Sequence, residues 1–233
     1  MGYMRLGRRT GSRAPLSDSS TDIPSSEALV GAARAQGVAD DRVLEALRTV
    51  RREAFVPEDM REDAGFDGVI PIGYAQTTSQ PSLVALMIEA LAVNAKDVVL
   101  EVGTGFGYQT ALLAKLARKV FSIERIPELA EAARRNLERE AVSNVEIVVG
   151  DGTLGLPGSA PFNGIVVSAA FLRVPGPLSA QLAPGGRLVM PVGNGGGDLV
   201  KLFEARGTEL KELKVLCGAR FVPLVGQHGF ELH

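Results

Sequence analysis

Glu101-Val102-Gly103-Thr104-Gly105-Phe106-Gly107-Tyr108 is the stretch of this sequence richest in chemistry. The apolar run Val98-Val99-Leu100 leads straight into glycines spaced by two. That is the pattern of a buried strand turning sharply, so that a ligand meets bare backbone and the next helix points its N-terminus at it. A Gly-x-Gly-x-Gly match alone also fits a structural turn in which glycine relieves strain. The acids nearby narrow the chemistry. Glu101 precedes the first glycine, where a carboxylate repels the pyrophosphate of a dinucleotide and suits a cation. Glu124 ends the next strand-like run, Phe121-Ser122-Ile123, placed to accept both hydroxyls of a ribose. Asp151, in Gly150-Asp151-Gly152, follows a third such run and offers an acceptor for an adenine amino group. An ammonium, a ribose diol and an adenine with no phosphate between them describe S-adenosylmethionine. Plainer roles exist for each acid: Glu101 capping a turn, Glu124 pairing with Arg125 or Arg118, Asp151 as a turn residue. Their shared place at the carboxyl ends of consecutive strands, where open α/β sheets bind ligands, favours the joint reading.

Periodicity supplies the elements that must position these residues. Strands over 97–102, 119–123, 145–149, 164–168 and 186–191 alternate with helices over 109–116, 127–140 and 177–182. This predicts an α/β, Rossmann-like fold: a mainly parallel sheet with helices on both faces. Residues 198–205, 211–216 and 220–224 read as antiparallel strands added at an edge. Two helices are expected between Glu27 and Val50, capped at Asp40 or Asp41. Residues 65–73 read as loop or short edge strand, because Pro71 lacks a ladder donor, and 76–81 as a second loop. An apolar helix follows over 83–92, with Ser79 as its N-cap and Pro81 in its first turn. Residues 1–26 are rich in Gly, Ser, Pro and Arg and predict a flexible tail in which Arg5, Arg8, Arg9 and Arg13 outnumber Asp18 and Asp22. Residues 27–233 then form a single domain, with 27–96 its helical N-terminal part and 97–233 its cofactor-binding sheet and C-terminal strands.

Composition excludes several classes. At 233 residues, 45% hydrophobic and 22% charged, the chain suits one globular core rather than a disordered or fibrous protein. A net charge of −2 gives no electrostatic basis for holding nucleic acid. One cysteine, Cys217, and two histidines, His228 and His233, allow neither an internal disulfide nor a Cys/His metal cage. Cys217 reads as packing, as do Met87 and Leu91. No apolar run nears the roughly 20 residues that cross a bilayer, and the first residues lack the apolar core of a secretory signal. A cytoplasmic monomer that touches no membrane is the default expectation.

The residues resemble a known family. Leu100 to Thr110 is similar to the first motif of class I methyltransferases, in the form carried by protein-L-isoaspartate O-methyltransferases. Phe55-Val56-Pro57, Pro71-Ile72-Gly73, Thr77-Thr78-Ser79-Gln80-Pro81, Gly150-Asp151-Gly152, Gly185-Gly186-Arg187-Leu188 and Phe221-Val222-Pro223-Leu224 continue the likeness in order and spacing from about Asp41 to Gly226. The resemblance implies methyl transfer from S-adenosylmethionine, yielding S-adenosylhomocysteine, to the free α-carboxylate of L-isoaspartyl residues in damaged proteins or peptides. It implies Ser79 as the active-site residue that orients that carboxylate. Thr78, Ser79, Glu101, Gly103, Thr104, Gly105, Gly107, Glu124, Asp151 and Gly152 are implied to hold the cofactor, with no metal. Two departures stand out. Asn163 replaces the usual Asp of Pro-Phe-Asp, and Phe171 stands where many members carry Pro after Ala-Ala. Related enzymes that methylate an ordinary aspartate to make aspartimide generally add a C-terminal region, which this chain, ending at His233, has no room for. A non-catalytic binding protein that keeps the fold is a third reading.

Overall fold

The computed structural model describes residues 25–194 and 196–231. The expected flexible tail up to residue 24, with its arginines, and His233 lie outside the described residues.

The chain opens with α1 (Ser25–Ala35) and α2 (Asp41–Thr49), the latter capped by Asp40, whose carboxylate accepts from the Arg42 backbone N–H. Two 3-10 turns, Arg52–Phe55 and Glu58–Gly65, precede a hairpin of β1 (Ile70–Gly73) and β2 (Gln76–Thr78). Residues 76–78, expected as loop, are therefore strand: Thr77 and Thr78 pair with Pro71 and Ile70, a contact invisible to local propensity. The apolar helix α3 spans Pro81–Leu91. Its N-cap is Gln80 rather than Ser79, and the Gln80 side chain, which donates to the Ser82 hydroxyl, accepts from no backbone N–H of the helix. The capping carboxylate comes from afar: Asp67 accepts from the Ser82 N–H at 2.8 Å and from the Ser82 hydroxyl at 2.7 Å.

The main sheet is laid down as β3 (Val98–Val102), β4 (Lys119–Glu124), β5 (Val145–Val149), β6 (Phe162–Val167), β7 (Leu182–Val192), β8 (Asp198–Arg206) and β9 (Glu209–Ala219). Helices α4 (Tyr108–Leu116), α5 (Pro127–Arg139) and α6 (Gly176–Ala180) link its parallel strands. Spatial order is β5-β4-β3-β6-β7-β8-β9, parallel through β7 and antiparallel beyond. Winding runs outward from β3 through β4 to β5 and then returns to β6, so the topological switch falls beside β3. Alternate residues of β3 face opposite layers. Val99 joins the apolar cluster with Val84, Leu112 and Val166; Leu100 and Val102 join the one with Ile165, Leu188 and Met190.

Residues 220–224 do not form the expected edge strand. They leave β9 and cross the carboxyl edge, where Pro223 bridges Ala170 in parallel and the Asp198 carboxylate accepts from the Phe221 N–H at 3.0 Å. The Asn163 departure is absorbed locally, since its Oδ1 accepts from the Val98 N–H at 2.9 Å, a bond a carboxylate would make in the same way.

Candidate active site

The turn after β3 carries Gly103 at φ +96° and Gly105 at φ +56°, left-handed conformations that strain any side chain. Gly103 N–H extends the β4 ladder by donating to Ile123 O at 2.9 Å. A Cβ on Gly105 would come within 3.2 Å of Ile72, because the β1–β2 hairpin folds down over the turn. Between hairpin and turn lies an open cleft lined by Ile72, Thr77, Phe55 and Tyr108 as well as by the glycine turn.

Glu124 lines this cleft and is buried. Its Oε2 accepts from Gly105 N–H at 2.9 Å and its Oε1 from Ile126 N–H at 3.0 Å. Each oxygen keeps acceptor capacity for a hydroxyl. The amide that would greet a phosphate is thus taken by a carboxylate, so the site suits a ribose diol and rejects a pyrophosphate.

Gly103, Thr104, Gly105, Gly152, Thr78 and Ser79 also line the cleft. Gly152 is required by packing, since a Cβ there would meet Val102 at 2.4 Å. Three expected residues lie elsewhere. Glu101 sits wholly buried behind the turn, its oxygens accepting from Gln109 Nε2, the Thr110 hydroxyl and the Ser122 hydroxyl, so the predicted direct grip on a cation is replaced by a hub joining β3, β4 and α4. Burial pushes its carboxyl up to about 7, although those three donors oppose the rise, and nearby Glu124 adds to it. Gly107 packs toward α5, where a Cβ would touch Ala133. Asp151 turns from the cleft: its Oδ1 accepts from Thr153 N–H and hydroxyl, its Oδ2 from Gln227 N–H at 2.7 Å. Partial burial opposes its charge, but those bonds and the field of His228 hold its carboxyl below the usual range. The residue predicted as adenine acceptor thus also anchors the C-terminal turn.

Ser79 occupies a boundary. It lines the cleft and also a second one, walled by Leu83, Val69 and Cys217–Val222. Its neighbour Thr78 is held by the buried Arg52, whose guanidinium also donates to the carbonyls of Ala64, Phe66 and Gly68. Cys217 is half-buried and its thiol is pushed up by burial, which keeps it protonated and unsuited to attack. Sequence reasoning gave no site role to Tyr108, Phe55, Val84 or Ser168, which line the cleft, or to Arg52 behind it. Tyr108 adjoins the glycine motif and was legible there; the others arrive from distant segments. Among the described residues no group of His, Cys, Asp and Glu could hold a metal ion, and no helix is long and apolar enough to cross a membrane.

Comparison with known proteins gives concordant results. Residues 24–229 match the model of the protein-L-isoaspartate(D-aspartate) O-methyltransferase family. A protein-L-isoaspartate O-methyltransferase of Methanoculleus marisnigri is 51% identical over 85% of this chain and 90% of its own length. One of Myxococcus xanthus is 50% identical over 82% and 92%. A solved protein-L-isoaspartate O-methyltransferase superposes with TM-score 0.76 at 30% identity, over 88% of this chain and 67% of that one. A Plasmodium falciparum structure in complex with S-adenosyl-L-homocysteine superposes at 0.70 with 22% identity, over 85% and 97%, which speaks for the fold.

Proposed function

The chain belongs to the protein-L-isoaspartate(D-aspartate) O-methyltransferase family, and on that premise we propose that it methylates the free α-carboxylate of L-isoaspartyl residues in proteins and peptides, initiating their repair. When bound, S-adenosylmethionine supplies a methyl group activated by the adjoining sulfonium. Glu124 would accept the ribose hydroxyls, and the bare backbone of Gly103 and Gly105 would admit the adenosyl group closely. A carboxylate with an ordinary pKa near 4 is ionised at neutral pH, so the acceptor needs no general base. The chain's work is alignment and exclusion of water from a reaction in which opposite charges cancel. Well-oriented partners supply roughly 7 to 11 kcal/mol in this way.

The observation that carries the reading is Ser79, shared between the two clefts. Its hydroxyl would orient the acceptor carboxylate entering from the second cleft, while Arg52 holds the adjoining Thr78 in place. Near-neutral charge supports peptide rather than nucleic acid as partner, and a single cysteine, able to form no internal disulfide, is consistent with a reducing cytoplasm. Paired peptides differing only in isoaspartyl or ordinary aspartyl linkage, incubated with labelled methyl donor, test this reading. Label is expected on the isoaspartyl peptide alone. Label confined to the aspartyl twin would identify an aspartimide-forming enzyme, and donor binding without transfer to either would leave a binding protein.

A further inference from the structure

Five buried polar side chains line the first cleft: Thr78, Thr104, Gln109, Glu124 and Tyr108. The first four each hold a hydrogen-bond partner within the fold. The Tyr108 hydroxyl holds none among the described residues, although the side chain is only 4% exposed. A buried hydroxyl without a partner destabilises the empty protein, and a ligand that accepts from it removes that cost.

We propose that the Tyr108 hydroxyl donates a hydrogen bond to the carboxylate at the methionyl end of bound S-adenosylmethionine. This rests on the cofactor reading above and extends it to a residue outside the predicted set. Tyr108 opens α4 directly after the glycine turn, and its N-cap Gly107 provides no side-chain cap. The Arg52 guanidinium lies 5.8 Å from the centre of the Tyr108 ring, a buried positive charge beside it that outranks the opposing fields of Asp67 and Glu53. Glu124, Gly103, Gly105 and Tyr108 line one cleft, so a ligand whose ribose sits at Glu124 shares that cleft with the Tyr108 hydroxyl, beside the apolar Phe55 and Val84. The acceptor's carboxylate is the weaker claimant, because Tyr108 lines only the first cleft whereas Ser79 lines both. Burial raises the phenol's pKa, so the group remains a donor throughout the working pH range.

The test is Tyr108→Phe, which deletes one oxygen. Calorimetric titration with S-adenosylhomocysteine, which carries the carboxylate, and with 5′-methylthioadenosine, which lacks it, separates the contact from general damage. Affinity for S-adenosylhomocysteine should fall roughly ten- to one-hundred-fold, the scale of one hydrogen bond to a charged group. Affinity for 5′-methylthioadenosine should stay within twofold, and the thermal midpoint of the empty variant should not fall. Equal losses for both ligands, or none for either, would overturn the proposal while leaving the cofactor reading intact, as would a rise confined to the peptide KM. If the unaltered protein bound neither probe, the cofactor reading itself would fail.

Discussion

The floor and the roof of the cleft are built by different means. The floor comes from consecutive strands: β3, the glycine turn and the end of β4 lie within residues 98–124, and their ladder pairs Val98 through Val102 with Lys119 through Ile123. The roof comes from both ends of the described chain, the β1–β2 hairpin with Ser79 on one side and residues 221–230 on the other. Single side chains gripping distant backbone hold it. Arg52 binds the 64–68 carbonyls and Thr78, Asp67 binds Ser82, Asp198 binds Phe221, and Asp151 binds Gln227. Phe171 closes the last of these segments edge-on against Phe230, ring centres 5.0 Å apart, which gives that departure from the family pattern a packing role. A floor made of ladder bonds is rigid before any ligand arrives, and so can set affinity. A roof hung on a few polar anchors can set alignment and closure, the contribution this reaction asks of the protein.

The largest effect should fall on the roof's reacting edge. Ser79→Ala is expected to lower turnover by roughly one to three orders of magnitude while S-adenosylhomocysteine affinity stays within several-fold, because orientation rather than binding is lost. Unchanged turnover in a labelled-methyl assay would remove Ser79 from the mechanism. Glu124→Ala attacks the floor and should show the opposite split, weakening S-adenosylhomocysteine by about 1.5 to 3 kcal/mol in calorimetry. A loss of turnover with affinity intact would reverse the roles assigned to the two layers. Asp67→Ala removes a cap supplied from the roof's own loop, at a cost of about 0.5 to 2 kcal/mol in denaturant unfolding. A variant as stable as the parent would show that the roof does not depend on this anchor.

The smallest effect concerns pH and the floor. The folded protein holds the Glu101 proton up to about 7, against an ordinary value of 4.5. Since the unfolded chain releases that proton earlier, Glu101 makes stability decline as pH rises from about 4.5 to about 7. Glu101→Gln should flatten that part of the stability profile, and an undiminished slope in urea titrations would assign it to other groups.

The floor was legible because its signals are local. Glycines spaced by two after an apolar run, and an acid closing the next run, predicted the turn and Glu124 without tertiary information. Glu101 and Asp151 were found as acids at strand ends, but the protein groups they bind were not. Type and position are written in the sequence, whereas orientation depends on who else offers donors, here Gln109, Thr110 and Ser122 for one and Thr153 and Gln227 for the other. The cap of α3 was assigned to Ser79 for the same reason. Asp67 lies outside any window in which capping patterns are read, and it frees Ser79 to face the clefts.

Sequence alone settled the alternation of strands and helices, the parallel sheet and the glycine turn, because backbone conformation and apolar period are short-range properties. Tertiary structure alone decided which acids line the cleft, that 220–224 crosses the carboxyl edge instead of joining it, and that Tyr108 is left with an unanswered hydroxyl among the described residues. Those outcomes turn on competition for hydrogen-bond partners between segments far apart in the chain, and that competition is resolved only when the layers close.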